Sequence, residues 1–128
     1  MLQLKQLSDE RRVVRLTALA TLLELERTGV LKPPETGPYV NNHIHTRYSF
    51  SPYYPTGAIW YARAAGLQTA GIMDHDSVSG IDEFYVAGDL CSMPVTSGFE
   101  VRIDLSSSPF GNRRVNNPDQ DGVAYVAC

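Results

Sequence analysis

The apolar residues near the start of the chain recur with a helical period. Between residues 8 and 27 they lie three or four positions apart, at Val13, Leu16, Leu19 and Leu23. This spacing is typical of one face of an amphipathic helix. Ser8 is a suitable N-cap, and Gly29 follows the last periodic residues. The pattern therefore predicts a helix over residues 8–27.

A proline-rich segment separates this helix from the rest of the chain. Residues 32–38 read KPPETGP and contain three prolines and one glycine. A helix does not continue through such a segment, because proline lacks a backbone N–H and both residue types favour turns. We therefore expect an N-terminal helix with its linker over residues 1–38 and a domain over residues 39–128.

Short apolar runs alternate with helical patterns in residues 39–128. The runs predict strands over residues 39–45, 67–73, 94–103 and 122–127. Two helices are predicted between the first three strands, over residues 56–66 and 79–90. Strands that alternate with helices are typical of parallel βα units with right-handed crossovers. The sequence therefore predicts an α/β fold, with a surface loop over residues 104–121.

The second of these helices carries an apparent start signal. Ser79 is followed three residues later by Asp82, which is the spacing of a capping box. Three apolar or aromatic residues then follow a helical spacing, and we expect them to face the sheet: Ile81, Phe84 and Tyr85.

Composition and charge exclude several classes of function. The chain has 128 residues and a net charge of -3, with a pI near 5.5, which argues against a general nucleic-acid binder because such proteins need clustered Lys and Arg. No apolar stretch approaches the ~20 residues that cross a bilayer, so we expect no membrane span. Cys91 and Cys128 form neither a disulfide framework nor a metal motif, and we expect a cytoplasmic protein.

All three histidines lie near the ends of predicted strands. His43 and His45 are two residues apart, so both side chains point to one face of a strand. Asp74 and His75 follow the next strand, and Glu100 belongs to the third. Because the carboxyl ends of parallel strands meet at one edge of a sheet, we expect these groups to converge. Imidazole and carboxylate ligands suit a divalent ion such as Zn, Mn or Fe.

Three segments of the chain resemble the first three motifs of the PHP domain (polymerase and histidinol phosphatase) family. They are residues 42–49 (NHIHTRYS), 71–80 (GIMDHDSVSG) and 98–100 (GFE). The resemblance runs from about residue 40 to residue 104. It implies a distorted (β/α) barrel that binds two or three divalent ions at its strand ends and hydrolyses phosphate esters.

The resemblance also implies a role for each matched residue. His43 and His45 bind one ion, His75 binds a second, and Glu100 bridges the two. Asp74 is either a ligand or a partner that holds a ligand in place. Asp74 and His75 are accordingly the candidate catalytic residues.

Two arginines adjoin the matched motifs. Arg47 follows the histidine pair, and Arg102 lies two residues after the glutamate. Guanidinium groups bind phosphate oxygens well, so both residues are candidates to contact a substrate, which the resemblance implies is a phosphorylated small molecule or a nucleotide.

The chain departs from the family pattern in two respects. Phe50 and Ser51 stand where family members usually carry a further Asp or His ligand, and no histidine follows His75. A complete (β/α) barrel needs about 200 residues or more. We therefore expect a piece of a longer enzyme that lacks the later ligands, and whose open sheet edges favour self-association. Whether this chain catalyses a reaction by itself is left open.

Two other functions stay open at this point. Amidohydrolases also begin with a His-x-His pair on the first barrel strand, but the sequence offers no Lys followed by two further histidines. The alternative is a non-catalytic module that binds metal or a partner, with the helix of residues 8–28 as the interacting element.

Overall fold

The computed structural model describes residues 1–128 and contains four helices and four strands. In chain order they are α1 (Leu2–Gln6), α2 (Arg12–Arg27), β1 (Tyr39–Ile44), α3 (Pro55–Ala64), β2 (Leu67–His75), α4 (Ile81–Leu90), β3 (Val95–Asp104) and β4 (Val123–Ala127). Each predicted strand is present within two residues of its expected bounds. Residues 105–122 form turns and bends, which confirms the predicted loop.

The four strands form one curled sheet in the order β1-β2-β3-β4. β1, β2 and β3 run parallel to one another, with α3 and α4 as the crossovers between them. The predicted α/β class and its parallel βα units are therefore confirmed. β4 runs antiparallel to β3, a direction that the apolar pattern did not indicate.

The two faces of the sheet have different neighbours. α3 and α4 contact the sheet, and α2 contacts both of them. On β2, Ala70, Ile72 and Asp74 are buried under these helices, while Met73 and His75 alternate onto the opposite face. The hydrophobic core therefore lies on the helix side of the sheet, and the histidines lie on the opposite face.

One hydrophobic core joins the N-terminal helices to the sheet. Its buried members come from α2, α3, α4 and β2, from Leu7 after α1 and from Met93 between α4 and β3. The largest fully buried ones are Leu7, Leu19, Leu22, Ile59, Ile72 and Phe84. Burying a side chain of this size stabilises a fold by about 1.5–3 kcal/mol. The helices before the proline-rich segment thus contribute to the same core as the βα units.

A buried ion pair lies within this helical layer. The side chain of Arg15 on α2 is 1% exposed, and that of Glu83 on α4 is 3% exposed. Arg15 Nε donates to Glu83 Oε1 at 2.8 Å, and Arg15 Nη2 donates to Oε2. Thr56 donates to Glu83 Oε1 through its backbone N–H at 3.1 Å and its hydroxyl at 2.7 Å. This cluster connects α2, α3 and α4 through polar contacts that the sequence did not reveal.

The first long helix begins later than its pattern predicts. α2 starts at Arg12, and Ser8 does not cap it. The physical reason is the buried Arg15, whose Nη1 donates to the carbonyl oxygens of Asp9 and Glu10 at 2.7 and 2.8 Å. These carbonyls would otherwise accept from the next helical turn. The buried face also differs from the prediction, since Val13 is 69% exposed.

The predicted capping box of α4 is absent. Gly80 is the N-cap, and no side chain caps the helix. A Cβ at Gly80 would lie 2.8 Å from Cδ1 of Ile72, so close packing on β2 explains the glycine. Phe84 is buried as predicted, but Tyr85 is largely at the surface.

None of the four helices combines the length and the apolar character that a bilayer crossing demands.

Candidate metal centre

Three imidazoles surround one carboxylate oxygen on the face of the sheet opposite the helices. Glu100 Oε2 lies 3.3 Å from Nε2 of His43, 3.6 Å from Nε2 of His45 and 3.2 Å from Nε2 of His75. His43 and His45 come from the end of β1, and His75 ends β2 directly opposite Glu100 of β3 in the strand register. The convergence follows from three neighbouring parallel strands.

The four side chains divide into two overlapping sets. The ligand atoms of His43, His45 and Glu100 all lie within 4.8 Å of one another, which is the spacing of groups that could hold one metal ion. His75 is outside this group, although its Nε2 is as close to Glu100 as that of His43. Glu100 is therefore shared between the histidine pair on one side and His75 on the other.

The orientation of His45 is fixed from behind by a hydroxyl. Ser49 Oγ donates to Asp74 Oδ1 at 2.9 Å and lies 3.2 Å from His45 Nδ1. Because its one proton goes to the carboxylate, the Ser49 oxygen accepts from Nδ1–H of the imidazole. This assigns the proton of a neutral His45 to Nδ1 and leaves a lone pair on Nε2, the nitrogen that faces Glu100. Metal-binding histidines commonly depend on such a contact.

Asp74 lies on the helix side of β2, with its side chain 1% exposed. Besides the Ser49 bond, it accepts from the backbone N–H of Thr46 at 2.5 Å and from the Thr46 hydroxyl at 2.6 Å. Both carboxylate oxygens are thus used by the protein. The contacts fasten the end of β1 to β2 at the point where His45 leaves the sheet.

The electrostatic surroundings keep His45 ready to bind a cation. Burial lowers the pKa of His45 below its ordinary value, and the nearby His75 and His43 act in the same direction. The negative charges of Glu100 and Asp74 oppose this shift without cancelling it. A neutral imidazole is the form that coordinates metals, so the lowered pKa favours the binding-competent state.

His75 is surrounded by rings. The imidazole of His45 stacks on it at 4.6 Å between centroids, and the rings of Phe50 and Tyr125 stand edge-on to it at 5.0 and 4.9 Å. Its Nδ1 is buried and has no hydrogen-bond partner. Packing therefore holds the ring of His75, whereas a hydrogen bond holds that of His45.

The two predicted substrate-contacting arginines lie in different surroundings. Arg102 is exposed and lies two residues after Glu100 on β3, hence on the same face, opposite Tyr125 of β4. The guanidinium of Arg47 lies over the ring of Tyr54, 5.7 Å from its centroid. The structure thus brings Arg102 to the histidine face and directs Arg47 toward the loop before α3.

Sequence reasoning assigned no role to three residues of this centre. Thr46 and Ser49 belong to the segment that carries the histidines, and their spacing from His45 was visible in the sequence. Tyr125 had no such signal, because its place beside His75 depends on the direction of β4.

Comparisons with known proteins give one structural likeness. No protein-family model matches the chain, and no curated protein matches it. A crystal structure of a Bifidobacterium adolescentis protein, provisionally named a metal-dependent phosphoesterase, aligns with a TM-score of 0.49 and 29% sequence identity. The alignment covers 55% of this chain and 25% of that one. The chain therefore spans about a quarter of the protein that it resembles.

Proposed function

We propose that this chain carries part of the active site of a metal-dependent phosphoesterase, which hydrolyses a phosphate ester with water as the nucleophile. One observation carries the proposal, namely that Nε2 atoms of three histidines lie within 3.6 Å of one glutamate oxygen. Imidazole nitrogens held this close to one carboxylate oxygen are arranged as the ligands of a cation.

The donor set fits a divalent transition metal. His43, His45 and Glu100 would hold one ion, and three protein ligands leave a coordination position free, as catalytic zinc sites do. His75, together with the shared Glu100, would contribute to a second ion. Imidazole and carboxylate ligands suit Zn, Mn or Fe. A bound divalent ion supplies Lewis-acid chemistry, which polarises a phosphoryl oxygen and makes water nucleophilic at neutral pH.

The surrounding residues orient the ligands. Ser49 keeps the proton of His45 on Nδ1, and Asp74 keeps Ser49 and Thr46 in position. We therefore propose Asp74 as a positioning residue. We propose His75 as the candidate catalytic residue, since its Nε2 lies 3.2 Å from the shared Glu100 Oε2.

Arg102 is the better placed of the two candidate phosphate contacts. It lies on the histidine face and is exposed. A guanidinium there could bind the non-reacting oxygens of a phosphate ester. The remaining ligands of a two-ion or three-ion centre would come from outside these 128 residues, so we propose that this chain supplies the first part of the site of a longer enzyme.

Metal binding tests the proposal first. Purified protein dialysed against Zn²⁺ or Mn²⁺ should retain the metal, and His43→Ala should retain much less because one of three ligands is lost. Gln68→Ala is the matched control, since Gln68 is an exposed residue near the start of β2, away from the histidines. A wild-type protein that retains no metal would contradict the proposal.

Hydrolysis tests the catalytic part. In a longer enzyme that contains this chain, we expect 4-nitrophenyl phosphate to be cleaved only when Mn²⁺ is added, and His43→Ala to abolish the cleavage. Activity that survives His43→Ala would refute the assignment of the site. Metal retention without hydrolysis would instead support a non-catalytic metal-binding module.

A further inference from the structure

Phe50 is the most exposed of the large apolar side chains, with 82% of its surface open to solvent. It lies in the loop between β1 and α3, and its ring centroid is 5.0 Å from that of His75. At this degree of exposure most of the ring surface has no protein neighbour. An aromatic surface is thus open directly beside the candidate metal ligands.

The turn that carries Phe50 is held on both sides. The backbone N–H groups of Ser49 and Ser51 both donate to the carbonyl oxygen of Thr46, at 2.9 and 3.2 Å. Arg47 N–H donates to the carbonyl of Tyr53 at 2.7 Å and closes the base of the loop. Thr46 is itself fastened to β2 through Asp74. The ring of Phe50 is therefore presented by a fixed backbone.

A second aromatic ring flanks the same imidazole. Tyr125 of β4 lies 4.9 Å from His75 between ring centroids. The side chain of Asn116 brackets its backbone, accepting from Tyr125 N–H at 2.8 Å and donating to its carbonyl at 2.7 Å. Two anchored rings from different elements thus border His75.

The position of these rings relates them to a substrate. His75 Nε2 is 3.2 Å from Glu100 Oε2, so a phosphoryl group held at these atoms lies beside the imidazole whose ring centroid is 5.0 Å from that of Phe50. The group esterified to that phosphate would then meet an aromatic face that offers no hydrogen bond. Planar aromatic groups pack on such a face in offset or edge-to-face geometry.

We propose that Phe50, with Tyr125 as the second wall, binds the esterified group of the substrate and selects phosphate esters that carry a planar aromatic ring. This rests on the proposed function, because the phosphate must be held at the histidines and Glu100.

Two phosphonates that are not hydrolysed test the inference by binding alone. Phenylphosphonate and methylphosphonate share one anionic head and differ in the ring. Titration of each into zinc-loaded protein, followed by calorimetry, should show about tenfold tighter binding of phenylphosphonate, the size expected of one aromatic contact. Phe50→Ala should remove this preference and leave methylphosphonate binding unchanged, while Phe50→Tyr should retain it.

Tyr39→Ala provides the matched control. Tyr39 is also an exposed aromatic residue, but it begins β1 at the opposite end of the strand from the histidines, so its removal should leave the preference intact. Equal affinities in the wild-type protein, a preference that survives Phe50→Ala, or no binding of either phosphonate would each overturn the inference. Failure of the proposed function is seen separately, as absence of metal retention or of hydrolysis.

Discussion

At the scale of single residues, the centre depends on one serine. Ser49 connects His45 Nδ1 to Asp74, and both contacts are within hydrogen-bond distance. We expect Ser49→Ala to weaken zinc binding by about 10-fold to 100-fold, the usual effect of losing a contact that orients a histidine ligand. The cause is loss of the fixed proton on Nδ1. Competition with a coloured zinc chelator would measure the change.

A neighbouring serine is the control for this substitution. Ser51 lies in the same turn, and its hydroxyl only accepts a long bond of 3.3 Å from Tyr53 N–H. Ser51→Ala should therefore bind zinc like the wild-type protein. If Ser49→Ala bound zinc with unchanged affinity, the hydrogen bond would not control the ligand.

The sequence was sufficient to group the candidate ligands, but it did not show that Ser49 and Thr46 contact Asp74 beside them. His43, His45, His75 and Glu100 could be grouped because strand periodicity and parallel connections are properties of local sequence. The link from Asp74 to Ser49 joins a strand to a loop across 25 positions, and it depends on how the loop folds back. No periodic pattern encodes such a contact.

At the scale of elements, two ion pairs join α2 to α4 in contrasting surroundings. Arg15 and Glu83 are buried, whereas Arg12 and Asp82 are 44% and 78% exposed in their side chains. Glu83→Gln should lower the free energy of unfolding by about 3–5 kcal/mol, because it leaves the buried Arg15 without a counter-charge. Asp82→Asn should cost at most about 1 kcal/mol. Urea unfolding followed by circular dichroism compares the two.

A double substitution shows whether stability is lost with the ion pair itself or because one charge is left buried without its partner. Arg15→Met with Glu83→Leu removes both charges, and such apolar replacements are often neutral or stabilising. It should recover most of the stability that Glu83→Gln loses. Equal losses in Glu83→Gln and Asp82→Asn would show that the buried pair has no special weight.

The buried pair of Arg15 and Glu83 also makes the stability of the fold depend on pH. Burial alone would raise the pKa of Glu83, but hydrogen bonds from Arg15 and Thr56 outweigh burial, and its pKa is lowered. A carboxyl whose pKa is lower in the folded state stabilises the protein above its unfolded pKa, about 4.3, and this contribution disappears as the pH falls through the folded pKa. The difference in unfolding free energy between the wild type and the double variant should therefore be constant near neutral pH and move in favour of the double variant below about pH 4.

At the scale of the whole molecule, the curled sheet has two edges, β1 and β4. The sequence predicted both strands but not the direction of β4, because the loop of residues 105–122 is long enough for a parallel or an antiparallel connection. What the sequence could not show is how the edges are protected. At β1, Asn41 Oδ1 accepts from the N–H of His43 at 3.0 Å, and at β4, Asn116 binds both backbone groups of Tyr125.

These asparagines act as substitutes for a neighbouring strand, so removing one should expose a pairing edge. Asn116→Ala frees the N–H and carbonyl of Tyr125, and unpaired edge groups are templates for association between chains. We expect the variant to form dimers or larger species at protein concentrations where the wild type contains fewer, as measured by sedimentation velocity over a concentration series. Asn112→Ala, in the same loop and at the surface, should sediment like the wild type. If Asn116→Ala sedimented identically to the wild type at every concentration, the two hydrogen bonds of Asn116 would serve only to place Tyr125 beside His75.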